Sequence, residues 1–146
     1  MEPAAPQRRT GLARILVIDD DPAFVGLLTQ FLVEDGYETV AALNGGDGLM
    51  LFELEHPDLI LLDLRMPGIG GHDVLRRVLM MRPDMPVIIV SGLGDAEGAR
   101  QMLRRGAIDY LPKPVDLQVL GRSIAAALGR PLPRATPARS SSTEAG

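Results

Sequence analysis

The sequence predicts an α/β fold, an open, doubly wound parallel sheet with helices on both faces. Three observations carry this. Continuous apolar runs at 15–18, 59–62 and 87–90 suit strands buried on both sides, at the centre of a parallel sheet. Five strand signals alternate with five helix signals, which implies right-handed crossovers between parallel strands. A polar residue closes each central run: Asp19 with Asp20 and Asp21, then Asp63, then Ser91. An open α/β sheet builds its site along that carboxyl rim.

Taken in order, the first strand, 15–18, leads into a well-punctuated helix. Asp21 caps it, Pro22 takes its first position, and Gly36 ends it. Phe24, Leu27, Leu28, Phe31 and Leu32 recur at helical spacing and form its apolar stripe. The second strand, 38–42, is weaker and more polar, and suits an edge. A helix over 47–55 stops at Pro57, and Gly46 and Gly48 weaken its start. After the third strand, 59–62, a helix over 73–81 stops before Pro83, with one of Met80 and Met81 expected in the core. The fourth strand, 87–90, precedes a helix over 95–105 that ends at Gly106. The fifth strand, 107–111, suits the other edge, and a fifth helix covers 116–128. Three buried and two peripheral strands fit the order 2-1-3-4-5, the flavodoxin-like arrangement.

A chain of 146 residues is one domain, long enough to bury a real core. Residues 1–12 read as a disordered lead-in, 13–128 as the folded unit, and 129–146, rich in Pro, Ser and Arg, as a disordered tail. The hydrophobic fraction of 46% is ordinary for a globular protein. Zero cysteines exclude disulfides and thiolate metal sites. No apolar stretch reaches membrane-spanning length, and the start lacks a signal-peptide core. A soluble cytoplasmic protein with no membrane role is expected. A net charge of -4, with no basic stripe carrying interleaved aromatics, weighs against direct nucleic-acid binding.

In the order 2-1-3-4-5 the first and third strands are neighbours, so Asp19, Asp20 and Asp63 converge on one crevice. Three carboxylates in a small site repel one another and raise one another's pKa unless a cation intervenes. Oxygen ligands without His or Cys favour a hard divalent ion, Mg²⁺ first. The chain has fourteen arginines and one lysine, and that lysine, Lys113, follows the fifth strand between two prolines. With the Ser91 hydroxyl it offers a charge and a hydrogen bond to an anion beside the metal. These are the parts of an in-line phosphoryl transfer, with Asp63 as nucleophile forming an acyl phosphate. Taken singly, each part has a plainer reading. Asp21 is a helix cap, Asp19-Asp20 a solvated loop, Ser91 a turn residue, and Lys113-Pro114 an ordinary turn. Their placement at successive strand ends favours the chemical reading.

The stretches ILVIDDDP, DLILLDLRMPGIGG, VIIVSGLGD and GAIDYLPKPVD resemble, in order and spacing, the receiver domain of two-component response regulators. The resemblance covers about residues 13–128. It implies that Asp63 is the phosphoacceptor, and that Asp19 and Asp20 hold magnesium with the backbone carbonyl of Arg65. It implies that Ser91 moves to the phosphoryl group, that Lys113 pairs with it, and that Tyr110 is the aromatic switch residue. The Lys113-Pro114 peptide is expected to be cis. The phosphoryl donor is then a sensor histidine kinase or a histidine phosphotransfer protein. Output is protein contact through the face formed by the fourth helix, fifth strand and fifth helix, with phosphorylation-dependent homodimerisation as a further expectation. With no output domain after the fifth helix, a stand-alone regulator is expected, with only self-phosphorylation and self-dephosphorylation chemistry of its own.

Ser91 stands where the family more often has threonine. Arg65 lies two residues past the acceptor, and its guanidinium is either solvated or reaches the phosphoryl oxygens. His56 and His72 read as solvated. Gly68 to Gly71 lack the Gly-Lys-Ser/Thr of a nucleotide loop. Arg100, Arg104 and Arg105 form either a solvated face or a partner contact. Two rivals remain. An aspartate-nucleophile phosphohydrolase would use Asp19, but Ala23 stands where it usually wants a threonine. A constitutive pseudo-receiver would not need the complete acid, hydroxyl and lysine set.

Overall fold

In the computed structural model, residues 11–92 and 94–129 are described. The lead-in and tail expected at 1–12 and 129–146 therefore lie outside the described residues except at 11, 12 and 129. The elements alternate as β1 (Arg14–Ile18), α1 (Pro22–Glu34), β2 (Glu38–Ala42), α2 (Gly45–Glu55), β3 (Leu59–Leu62), α3 (Gly71–Met81), β4 (Val87–Ser91), α4 (Ala96–Arg104), β5 (Asp109–Pro112) and α5 (Leu117–Ala127). The five strands are parallel and ordered β2-β1-β3-β4-β5.

Strand alternation sorts the core into two layers. Ile15 and Val17 of β1, Leu59 and Leu61 of β3, and Ile88 and Val90 of β4 face α1 and α5, where they meet Leu28, Leu32, Leu120 and Ile124. Leu16, Ile18, Ile60, Leu62, Val87 and Ile89 face α2, α3 and α4, where they meet Phe52, Val74, Val78 and Met102. β1, β3 and β4 are buried along their whole length, which is why they read as unbroken apolar runs. Among the described residues no helix is long and apolar enough to cross a membrane.

Asp21 caps α1 as expected, accepting from the amides of Ala23 and Phe24. The buried side of α1 is Val25, Leu28 and Leu32; Leu27, placed on the stripe by spacing, is half exposed. A one-residue rotation of the stripe explains the difference, because Val25 and Leu28 are three apart and Leu27 falls beyond them.

α2 begins at Gly45 rather than at 47, with Asn44 as its cap. Its glycines are there for close approach. A Cβ on Gly45 would lie 2.4 Å from the Ile69 carbonyl oxygen, and one on Gly48 would lie 2.5 Å from Ile18 Cδ1. The low propensity of this helix start is thus offset by tight contact with β1 and the loop before α3. α3 likewise starts earlier, at Gly71 instead of 73. Met80 and Met81 are both exposed, against the expectation that one joins the core. Val74, Leu75 and Val78 are the buried face of α3, and the core methionines are instead Met66, Met85 and Met102.

β5 starts at Asp109, two residues later than expected. Gly106, at φ +119, closes α4 by donating to the Leu103 carbonyl, and the Ala107 amide turns back to Met102 at 3.0 Å. The chain at 106–107 is therefore still occupied by the helix exit.

Candidate functional site

The parallel register fixes the site. The Asp63 amide donates to the Ile18 carbonyl at 2.9 Å, and the Asp19 amide to Ala42 at 3.1 Å, so the ladder continues one residue beyond the strands. This sets Asp19 and Asp63 side by side where β1 and β3 end. Asp19, Asp20 and Asp63 each offer a carboxylate oxygen, and these oxygens lie within 4.8 Å of one another. Asp19 and Asp63 are buried, and Asp20 is exposed at the mouth. Three hard oxygen donors with one side open to water, and no imidazole or thiolate among them, fit a small divalent cation that keeps part of its hydration.

Lys113 enters from the end of β5, anchored by its amide on the Ser91 carbonyl at 2.7 Å. Its Nζ sits 2.8 Å from Asp19 Oδ2 and 3.8 Å from Asp63 Oδ1. It also lies 4.5 Å from the centre of the Phe24 ring of α1, a cation–π contact that the sequence pattern does not disclose. The Lys113-Pro114 peptide is cis, as expected.

Ser91 ends β4, beside β3, and is fully buried. Its hydroxyl donates not toward the carboxylates but to Asp95 Oδ2 at 2.8 Å. Asp95 is buried as well and pairs with the Arg65 guanidinium. In the sequence Asp95 reads only as a helix start. The available signal is its position four residues after a buried serine. Arg65 has its side chain turned to Asp95 and largely exposed, so the solvated reading holds with the addition of an ion pair to Asp95. Its backbone amide, by contrast, reaches the Asp63 carboxyl. Tyr110 is partly buried and packs against the core layer beneath α2, α3 and α4.

The other candidates do not join the carboxylates, although His72 lines the cleft beside them with Arg65 and Asp95. His56 is exposed at the carboxyl end of α2, and His72 lies in the first turn of α3. Arg100 and Arg104 both pair with Glu97, which favours the solvated-face reading of that arginine cluster. A cleft of about 630 Å³ adjoins the site between Met66, Pro67 and the start of α4, with Arg65 and Asp95 in its wall.

Asp63 titrates far from an ordinary aspartate. Its pKa rises from 3.8 to about 6, first through burial and then through the Asp19 charge, against the lowering effects of Lys113 and the Arg65 amide. Between these two values the folded chain holds a proton that the unfolded chain has lost. The stability this contributes is fully present below 3.8 and lost as pH rises through about 6. The whole gap corresponds to at most about 3 kcal/mol. Solvent at the open mouth screens this to about 1–2 kcal/mol. Asp63→Asn is therefore expected to be more stable than the native chain at neutral pH in chelator, and equal to it near pH 4. Thermal melts of both proteins across this range check it; a stability difference independent of pH refutes it.

Residues 15–125 match the family described as the response regulator receiver domain. Protein PilH of Pseudomonas aeruginosa is 40% identical over 119 residues, covering 80% of this chain and 98% of that protein. Regulatory protein AtoC of Escherichia coli is 37% identical over 119 residues, and there the match spans 26% of the relative's length. Several relatives are thus longer proteins of which the chain spans a quarter to a half. Among solved structures, a receiver domain protein from Clostridium thermocellum superposes with a TM-score of 0.78 at 37% identity, covering 81% of this chain and 95% of that one. A CheY-like receiver domain protein from Methanospirillum hungatei gives 0.77 at 35%, covering 82% and 95%. With the sheet order, the acidic crevice and these likenesses in agreement, the chain belongs to the receiver domain family of response regulators, the phosphoacceptor signalling modules of two-component systems.

Proposed function

We propose that Asp63 is the residue that accepts the phosphoryl group, from a phosphohistidine on a sensor kinase or a phosphotransfer protein. The observation that carries this is the convergence of Asp19, Asp20 and Asp63 within 4.8 Å, with the Lys113 ammonium against two of them. Asp19, Asp20 and Asp63, with the Arg65 carbonyl, are the residues to hold Mg²⁺, which when bound neutralises phosphoryl oxygens and templates in-line displacement. An oxygen of ionised Asp63 forms the new bond to phosphorus as the donor's nitrogen–phosphorus bond breaks. Lys113 places its charge where the product's negative charge accumulates. The Ser91 hydroxyl then moves to the phosphoryl group, and Tyr110 follows into the space it leaves.

The chain is in this reading a cytoplasmic switch, not an enzyme with a turnover substrate. Water hydrolyses the acyl phosphate and resets it. Output passes through the face of α4, β5 and α5 to a protein partner or a second copy of the chain. Bacillus subtilis sporulation initiation phosphotransferase F, 33% identical over 104 residues, supports a place in a relay of phosphoryl groups.

The test is incubation with acetyl phosphate and Mg²⁺, followed by mass spectrometry. One phosphoryl group on Asp63, absent in chelator, is the expected result. No adduct overturns the reading; an adduct on Asp19 with turnover of phosphomonoesters overturns it and restores the phosphohydrolase.

A further inference from the structure

Asp95 sits at the cap position of α4, where an aspartate ordinarily accepts a hydrogen bond from the helix's first amides. It makes no such bond. Its buried carboxylate is instead spent on the Ser91 hydroxyl, at 2.8 Å, and on the Arg65 guanidinium. Ser91 carries one hydroxyl proton. That proton cannot be given to Asp95 and to a phosphoryl group on Asp63 at the same time.

We propose that Asp95 is a positioning residue that holds Ser91 in the unphosphorylated state, and that Arg65 sets how firmly it holds. The inference rests on Asp63 being the phosphoacceptor. Phosphorylation creates a competing anion beside β4, and the Ser91 proton passes from one charged acceptor to the other. The released Asp95 carboxylate is then left buried with Arg65 as its counterion, and it is free to turn and cap α4. The end of α4 nearest the site thereby responds to the acceptor. Arg65 acts on the switch through Asp95. While the guanidinium is in place, Asp95 can surrender the hydroxyl and stay neutralised; without it, the carboxylate holds Ser91 more tightly, because a buried charge without partners is strongly disfavoured.

Two substitutions should therefore push in opposite directions. Beryllofluoride, a phosphoryl mimic, is titrated with Mg²⁺ into the full chain, and binding is read as heat. Asp95→Ala should bind about tenfold more tightly than the native chain, the scale of one hydrogen bond to a charged group. Arg65→Ala should bind several-fold more weakly. In the Asp95→Ala background, Arg65→Ala should have no further effect, and Ser91→Ala should erase the gain. Asp95→Asn, which keeps shape and capping ability, should fall between native and Asp95→Ala.

Unchanged or weaker binding by Asp95→Ala, with native binding intact, overturns the proposal. So does a gain that survives Ser91→Ala, since a structural effect of Asp95 on α4 would not need the hydroxyl. An Arg65→Ala loss that persists without Asp95 means that the guanidinium acts on the phosphoryl oxygens directly, and it overturns the part assigned to Arg65. Failure of the native chain to bind beryllofluoride overturns the phosphoacceptor reading itself, and so separates the two failures.

Discussion

Lys113→Ala is expected to slow phosphorylation of Asp63 by about 100- to 1000-fold, the scale seen when one preorganised donor is taken from a developing anion. The same substitution should tighten Mg²⁺ binding. Both effects come from one position. The Lys113 ammonium is 2.8 Å from Asp19 and 3.8 Å from Asp63, so before phosphorylation it occupies charge that a divalent cation would otherwise use. Removing it leaves the three carboxylates more repulsive toward one another and hungrier for a metal. After transfer begins, however, one cation must face three phosphoryl oxygens without the ammonium. Metal affinity and chemistry are thus driven apart, which a general loss of structure could not do. The rate is followed by mass spectrometry with acetyl phosphate, and metal binding by calorimetry. Lys113→Arg should rescue poorly. A guanidinium is planar and broad, whereas the site between Asp19 and the Phe24 ring accepts a compact charge. A loss of less than about tenfold, roughly 1.4 kcal/mol, would remove Lys113 from the transfer step.

The same residue shows what the chain discloses in one dimension. A single lysine between two prolines is visible without any coordinates, and so are acids at the ends of apolar runs. Parallel pairing then does the rest, because a register that aligns Ile18 with Leu62 necessarily aligns the next residues, Asp19 and Asp63. The site is legible wherever a side chain's position follows from strand ends. It is not legible where position depends on a rotamer. Ser91 falls on the rim as its place after an apolar run requires, but nothing in its spacing says that its hydroxyl points to Asp95. The Arg65 side chain cannot be aimed from sequence either, since a long exposed arginine has many rotamers and its choice of Asp95 is decided by a neighbour on another loop. Element boundaries shift for a related reason. Helix propensity alone counts Gly46 and Gly48 as a weak start, whereas the contacts of Gly45 with Ile69 and of Gly48 with Ile18 come from distant parts of the chain.

Gly71→Ala is expected to destabilise the protein by about 2–3 kcal/mol, at the upper end of overpacking effects, and to impair Asp63 as well. Gly71 opens α3 where the loop from β3 folds back on itself, its amide donating to the Leu64 carbonyl at 3.1 Å. A Cβ there would lie 2.6 Å from the Asp63 carbonyl oxygen and 2.9 Å from Leu64 Cα. Both are backbone atoms that no rotamer change can move. Relief requires α3 to withdraw or the peptide after Asp63 to shift. The second route displaces Asp63, the proposed acceptor, directly, and a misplacement of about 1 Å can lower a rate about 100-fold. Gly26 supplies the control. It lies within α1, exposed, and a methyl group added there would meet nothing within 4 Å. Gly26→Ala should therefore stabilise by up to about 1 kcal/mol through helix propensity alone. Chemical denaturation of the two variants, with the phosphorylation rate measured on each, distinguishes steric contact from a general effect of replacing glycine. If Gly71→Ala were as stable as the native chain and modified at the native rate, the close packing of α3 on the acceptor loop would not be what holds Asp63 in place.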